Sequence, residues 1–351
     1  MTLPYNLVML VVDVAVIWHV SRHRSLIAWS VAMALAGAAA LVLGGLFVGW
    51  DETDFGVFRL WAYGVFLHGV ALLVATAVLW RRSRPILAGV AVTCATAMLL
   101  VAADAFLIEP HWLEISHWQI ASPKIHHPLR IVVVADLQTD DFGPFERDVL
   151  LQALAEKPDL LLLAGDYLQA PADKYPRLKR ELNEFLREIQ FTAPLGAFAI
   201  RGNIDDDADW PNIFRGSGVT PILDRTSFDL GDLQLTGLPL WESLDTQLKL
   251  PLTRPDRFHL VLGHVPNFAM SDVQADLLVA AHTHGGQVQL PFLGPVITHC
   301  RIPRAWAAGL TELPGGRRLL VCRGIGVERG SAPPMRFLCR PELMVIDLVG
   351  M

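Results

Sequence analysis

Four long apolar stretches fill the first 110 residues, near 4–20, 26–49, 61–80 and 85–108. Each approaches the roughly 20 residues that a helix needs to cross the hydrocarbon core of a bilayer. A soluble bundle is a poor alternative, because helices with so little polar surface would have nothing to turn towards water. The first stretch carries Asp13, and the last has Asp104 near its end, where an interfacial position costs little. The whole chain is 52% hydrophobic with a mean hydropathy of +0.39, and these stretches hold the excess. No small-residue cleavage site separates the first stretch from the second, so a removed signal peptide is not expected. The reading is a multi-span helical membrane region over 1–110.

The loops give an orientation. Arg22, His23 and Arg24 lie between the first two stretches, and Arg81, Arg82 and Arg84 between the last two, whereas Asp51, Glu52 and Asp54 lie between the second and third. Basic loops stay in the cytoplasm. The protein is therefore expected in the inner (plasma) membrane, multi-pass, with everything after the fourth stretch on the periplasmic or extracellular side. Residues 111–129, with Trp112, Trp118 and Pro123, read as a juxtamembrane linker, since Trp favours the bilayer surface.

From residue 130 the pattern alternates. A strand is followed by an amphipathic helix at about 145–157, a strand at 159–164, a charged helix at about 173–190 and a strand at 197–201. Short strands with turns at Gly231-Asp232 and Gly237 fill 219–261, and 286–348 is again strand-like. Residues 130–351 are thus expected to form an α/β four-layer sandwich, two packed β-sheets flanked by helices. The net charge of −6 and the lack of a basic cluster here argue against a nucleic-acid partner. Cys94, Cys300, Cys322 and Cys339 include no C-x-x-C pair, which excludes a zinc ribbon or a thioredoxin-type motif. A disulfide among the last three stays open.

Five apolar runs in this region each end in a residue that can bind a metal. Arg130–Ala135 leads to Asp136 and Gln138, Asp159–Ala164 to Gly165-Asp166, and Ala197–Arg201 to Gly202-Asn203. Phe258–Leu262 leads to Gly263-His264, and Leu277–Ala281 to His282-Thr283-His284. Runs of this length read as buried strands. Taken singly, Gly-Asp is usually a turn, Gly-His a hydrogen-bonded loop, and His-x-His an accident. Together, at five strand ends, they describe one composite oxygen and nitrogen shell able to hold two divalent cations.

The order Asp136-x-Gln138, Gly165-Asp166, Gly202-Asn203-x-Asp205, Gly263-His264 and His282-x-His284 resembles the five signatures of the calcineurin-like metallophosphoesterases. Gly285-Gly286-Gln287, Leu290–Pro295 and Arg336-Phe337 to Arg340-Pro341-Glu342 are similar to the membrane-associated bacterial branch. The resemblance implies one cation on Asp136, Gln138, Asp166 and His284 and another on Asp166, Asn203, His264 and His282. It implies a metal-bridging hydroxide attacking phosphorus in line, with catalytic roles at Asn203 and Asp205. Two positions depart from the family. Its first-motif His is Gln138 here, which ligates through an amide oxygen and favours manganese or magnesium over zinc, with iron a further option. Its third-motif His is Ile204, which can neither stabilise a transition state nor protonate a leaving group, help worth roughly 10²–10⁴ in rate. Either the leaving group needs no proton, as in a pyrophosphate, or Asp205, Asp206, Asp207 or His299 supplies one. The expected function is a membrane-anchored phosphohydrolase acting on a phosphorylated small molecule or a lipid-linked phosphoester or pyrophosphate. Leu290–Leu293 and Trp306 are read as an apolar shoulder for an acyl chain. The alternative is a catalytically impaired phosphoesterase-like membrane protein used for binding or assembly.

Overall fold

The computed structural model describes residues 2–23, 25–48, 55–205 and 209–351. Arg24, Asp51, Glu52, Asp54, Asp206 and Asp207, all used in the reading above, lie outside the described residues. The chain divides into two compact units, Met1–Ile108 with Glu328–Pro334, and Glu109–Val327 with Met335–Met351.

Among the described residues four helices are long and apolar enough to cross a membrane: Thr2–His23, Leu26–Val48, Gly56–Trp80 and Pro85–His111. In detail these are α1 (Thr2–His23), α2 (Leu26–Val48), α3 (Gly56–Tyr63) joined through a π-helical turn to α4 (Val70–Trp80), and α5 (Pro85–Ala103). The π turn, Gly64–Gly69, carries His68. Asp13, the residue that weakened the first stretch on paper, is buried, with Oδ2 2.6 Å from His68 Nδ1. A polar group inside such a bundle needs a partner of this kind.

The second unit is built on strict alternation. In β2 (Leu129–Val134), Ile131 and Val133 point to one face while Val132 and Val134 point to the other. Successive side chains in a strand face opposite ways, so the run packs on both faces. The same holds for β3 (Leu160–Leu163), whose Leu160 and Leu162 face inward and Leu161 and Leu163 outward. With β1 (Glu114–Ala121), β4 (Ala197–Ala199), β5 (Val219–Pro221) and β16 (Glu342–Val349) they form a six-stranded sheet, ordered β1-β16-β2-β3-β4-β5. Strands β2 to β5 run parallel, and β16 is antiparallel to β2.

A second six-stranded sheet has the order β14-β15-β11-β9-β7-β6. Its strands are β6 (Thr226–Leu230), β7 (Leu233–Gly237), β9 (Phe258–Leu262), β11 (Leu277–Ala280), β14 (Gly309–Glu312) and β15 (Arg318–Val321). Two small pairs complete the set: β8 (Lys249–Leu250) with β10 (Asp272–Val273), and β12 (Gln289–Leu290) with β13 (Gly294–Pro295). The inner faces of the large sheets share one core, in which Ile131, Leu160 and Leu162 meet Leu235, Phe258, Leu260 and Val279. Helices α6 (Pro144–Ala155) and α7 (Tyr175–Glu188) cover the outer face of the first sheet through Val149, Leu150, Leu182 and Leu186. The outer face of the second sheet is covered more thinly, by α8 (Leu240–Leu244), the turn Pro266–Met270 and the β8–β10 pair. The expected four-layer sandwich is present, its fourth layer reduced to short pieces.

One expectation is corrected. Residues 114–121, assigned to a linker over 111–129, form β1, paired in parallel with β16 from Glu114↔Glu342 to Ala121↔Val349. An edge strand needs only part of its surface buried, and Trp118 and Ile120 supply it, so the segment reads as polar chain until its distant partner is known. All four cysteines are free thiols.

Candidate metal centre

Parallel strands that end together present their following loops together. The loops after β2 and β3 are zipped by backbone bonds, Asp136 N–H to the Gly165 carbonyl (3.0 Å) and Gln138 N–H to the Asp166 carbonyl (2.9 Å). The loops after β9 and β11 are likewise joined, with Ala281 N–H donating to the His264 carbonyl at 2.9 Å. Both pairs of loops meet over the shared core.

The meeting point is compact. Asp166, His264 and His282 each offer a ligand atom, and these atoms lie within 4.8 Å of one another. His264 Nε2 stands 3.2 Å from Asp166 Oδ2 and 3.0 Å from Asn203 Oδ1. Asp136 joins through its carboxylate, which accepts the His282 N–H at 3.1 and 3.3 Å and lies 3.9 Å from His264 Nδ1. Gln138 is buried on the Asp136 loop, its Nε2 donating to Gln169 Oε1 at 3.0 Å. His284 is buried on the turn after His282, with Arg336 Nη2 3.5 Å from its Nδ1. Asn203 is the exposed member of the set.

The backbone marks the same residues. Asp136, Gln138, Asp166, His282 and His284 all have φ between 41° and 70°. Side chains seldom adopt that left-handed region, which costs of order 1–3 kcal/mol each, so the surroundings must hold them there. Glycines make the approach possible. A Cβ on Gly202 would lie 2.0 Å from Asp166 Oδ1, and one on Gly324 2.5 Å from Asp136 Oδ2.

Electrostatics fit a cation. Burial pushes Asp136 up to about 8, with the His264 charge pulling it down and the Asp166 charge adding to the rise. Burial also works against ionised Asp166, but the charge and hydrogen bond of His264 outweigh it, and its pKa falls below the ordinary value. His264 is raised to about 9 because Asp166 and Asp136 overcome its own burial. His282 is lowered to about 4 by burial and the His264 charge, and His284 to about 3 by burial and Arg336. Buried carboxylates that compete for the proton of a nearby imidazole form a shell short of positive charge, and neutral imidazoles are the form that ligates. His264 Nδ1 lies 2.6 Å from the Ala164 carbonyl; a proton held there leaves Nε2 as the donor atom. Two carboxylates, two amide oxygens and three imidazoles suit a divalent ion with mixed oxygen and nitrogen preferences.

Two expected residues behave differently. Asp205 accepts the N–H groups of Asp166 (2.9 Å) and Gly202 (2.7 Å) on Oδ2 and that of Tyr167 (2.9 Å) on Oδ1. Buried among them, it holds the Asp166 loop in shape, and burial with the Asp166 charge pushes its carboxyl up to about 6. Ile204 has no imidazole to offer, but its N–H donates to Asp166 Oδ1 at 3.0 Å.

Sequence reasoning missed the depth of Arg336. Its guanidinium is fully buried and donates to the carbonyls of Arg323, Gly324, Gly326 and Cys339, tying the C-terminal segment to the glycines behind Asp136. The sequence marks Arg336-Phe337 only as part of a resemblance, because nothing local distinguishes a buried arginine from a surface one. His299 is exposed, and its carbonyl lies 3.3 Å from His282 Nε2.

A family model described as calcineurin-like phosphoesterase matches residues 129–286. The metallophosphoesterase YkuE of Bacillus subtilis is 30% identical over 263 residues, 69% of this chain and 87% of that protein. The phosphodiesterase YaeI of Escherichia coli is 28% identical over 275 residues, covering 73% of this chain and 97% of the relative. The UDP-2,3-diacylglucosamine pyrophosphatase LpxG of Chlamydia muridarum is 26% identical over 310 residues, 68% of this chain and 90% of LpxG. Similarity that spans nearly the whole of these relatives, with the motif residues gathered where two sheets end, makes the chain a member of the calcineurin-like phosphoesterases and a metal-dependent phosphoric ester hydrolase.

Proposed function

We propose that the chain is a membrane-anchored phosphohydrolase with a two-cation centre, cleaving a phosphoester or pyrophosphate bond of a lipid-linked substrate outside the cytoplasm. The observation that carries it is the Asp166–His264–His282 cluster, with ligand atoms within 4.8 Å, at the foot of five strand-end loops. Asp136, Gln138, Asp166 and His284 would hold one cation, and Asp166, Asn203, His264 and His282 the other. Held there, two cations would supply an activated water at neutral pH and charge to offset the phosphoryl oxygens. Asp205 and the Ile204 N–H fix Asp166, and the His282 N–H fixes Asp136, so the protein pre-orients its ligands before any substrate arrives.

Ile204 narrows the bond that is cut. With no proton to give at that position, the site favours a leaving group that departs as a weak base, as a phosphate or nucleotide does from a pyrophosphate. The four apolar helices support the anchor, and the basic loops at Arg22-His23 and Arg81–Arg84 support an outward-facing domain. That orientation, with the pyrophosphatase named among the relatives, points to a lipid-linked phosphate or pyrophosphate exposed on the outer leaflet.

The test uses the full chain in nanodiscs with a chromogenic phosphodiester and added manganese. Turnover that requires the metal and stops with a chelator is expected, with about two divalent ions bound per chain at saturation. Inactivity across metals, unchanged by Gln138→His combined with Ile204→His, would leave a binding role instead. A C-terminal tag reached by a protease only from the cytosol would overturn the orientation.

A further inference from the structure

We propose that the hairpin β12–β13 is a membrane-dipping finger, whose tip Phe292 and Leu293 insert into the acyl layer of a bilayer beside the candidate metal centre. This deepens the reading above and rests on it for the meaning of the neighbouring site.

The hairpin is short and closed. Gln289 pairs with Pro295 and Leu290 with Gly294, and the Leu293 N–H returns to the Leu290 carbonyl at 3.1 Å. Its tip is apolar and open. Phe292 is fully exposed, Leu293 is 71% exposed, and Leu290 and Val296 are 40% and 43% exposed. Phe292 also sits at φ 69°, a conformation that glycine would take more easily. A sequence selected only for a soluble turn would not hold four large apolar side chains in seven positions at such a tip. Elsewhere in this unit exposed apolar residues such as Leu151 and Leu223 are far apart along the chain, while Trp241 at 59% and Leu244 at 45% share α8, and neither matches Phe292.

The finger is fastened to the metal centre at both ends of its loop. It begins at Gln289, five residues after His284, and between them Gly286 packs so closely on Pro295 that a Cβ would fall 2.4 Å from the Pro295 Cβ. It ends near His299, whose carbonyl lies 3.3 Å from His282 Nε2. Gln289 N–H donates to the Phe337 carbonyl, and Phe337 N–H to that of Gln287, which stiffens the base. A rigid base at the ligands with a greasy tip in front would hold the site at a fixed height above whatever the tip enters.

The choice of a bilayer over another protein follows from shape and charge. A stable protein interface takes roughly 800 Å² per partner with complementary packing. A narrow two-stranded tip offers a few side chains and no concave face. It suits a fluid acyl layer, which asks for apolar side chains and no complementary shape. Exposed Arg304, on the turn Arg304–Trp306 that packs beside β13, adds a cation where anionic headgroups would lie. Trp306, read from the sequence as part of the shoulder, is half-buried against the outer core and serves as support for this turn.

The experiment places a nitroxide at the tip of the full chain. Cys94→Ser and Cys300→Ser remove the accessible thiols, and Phe292→Cys is labelled, with Leu223→Cys as the exposed control on the same unit. In nanodiscs containing anionic lipid, the label at 292 is expected to relax with oxygen and to be shielded from a water-soluble nickel chelate, the control showing the reverse. A label at 292 that behaves like the control would overturn the finger. In parallel, Phe292→Ser with Leu293→Ser is expected to leave turnover of the water-soluble diester unchanged and to lower turnover of a diester bearing acyl chains at least about tenfold. Equal loss on both substrates would overturn the proposal as well. A wild-type chain inert on either diester, with the label still in the acyl layer, would sink the hydrolase reading and leave the finger standing.

Discussion

The two sheets contribute different chemistry to the same place. The first supplies oxygen: Asp136 and Gln138 after β2, Asp166 after β3, Asn203 after β4. The second supplies nitrogen: His264 after β9, His282 and His284 after β11. Both departures from the family pattern, Gln138 and Ile204, fall on the oxygen side, while all three imidazoles of the nitrogen side are kept. The oxygen side is also the more heavily braced, with Asp205 taking three N–H groups around Asp166. That bracing is on the Asp166 loop, whereas Gln138 is held by its own N–H on the Asp166 carbonyl and by Gln169.

The sharpest way to break this comparison is to remove one ligand from each sheet. Asp166→Asn is expected to lower kcat/KM by more than about 10²-fold, since even the partners of metal ligands are worth 10–100-fold. It should also reduce bound divalent ions, counted by elemental analysis, from about two to below one. His284→Ala should leave about one. Equal stoichiometry in the two variants would mean that Asp166 does not serve both cations.

A smaller effect is expected from returning the first sheet to the family pattern. Gln138→His should shift preference from manganese towards zinc by several-fold in a metal titration, because imidazole is the softer ligand. An unchanged preference order would show that Gln138 does not touch the ion.

The smallest effect lies at the other end of the seam. Asp232, in the β6–β7 turn of the second sheet, accepts the N–H groups of His126 (2.7 Å) and His127 (3.2 Å), which precede β2 of the first. These bonds, with the His126 ring, hold its carboxyl at about 2. A pKa depressed by folding stabilises above the unfolded value near 3.9, and that contribution is lost as pH falls through about 2. Discounted for solvent, Asp232→Asn should cost about 1 kcal/mol in denaturant titration at pH 7. The difference from wild type should vanish near pH 2, with metal binding untouched at neutral pH.

Much of the architecture is legible in the sequence because its signals are local. The apolar runs at Arg130–Ala135 and Phe258–Leu262 announce buried strands, and a polar residue just past each marks the loop where function collects. Asp166, His264 and His282 are found this way, and the structure brings their ligand atoms within 4.8 Å of one another. What stays hidden depends on distant partners. Strand β1 needs β16, more than 200 residues later, before Glu114–Ala121 reads as anything but a polar tether. The amides around Asp205 come from Asp166, Tyr167 and Gly202, and no local pattern announces them. Arg336 carries no mark of its burial, because its acceptors are carbonyls, which every residue has.

The left-handed corners at Asp136, Gln138, Asp166, His282 and His284 have a consequence for how such a chain changes. Each is a place where glycine would relax the backbone. A laboratory lineage selected for heat resistance alone should accumulate glycine at those five corners and grow sturdier as it loses its chemistry. The pull between endurance and purpose is thus written into single torsion angles, at addresses that can be read before any substrate is found.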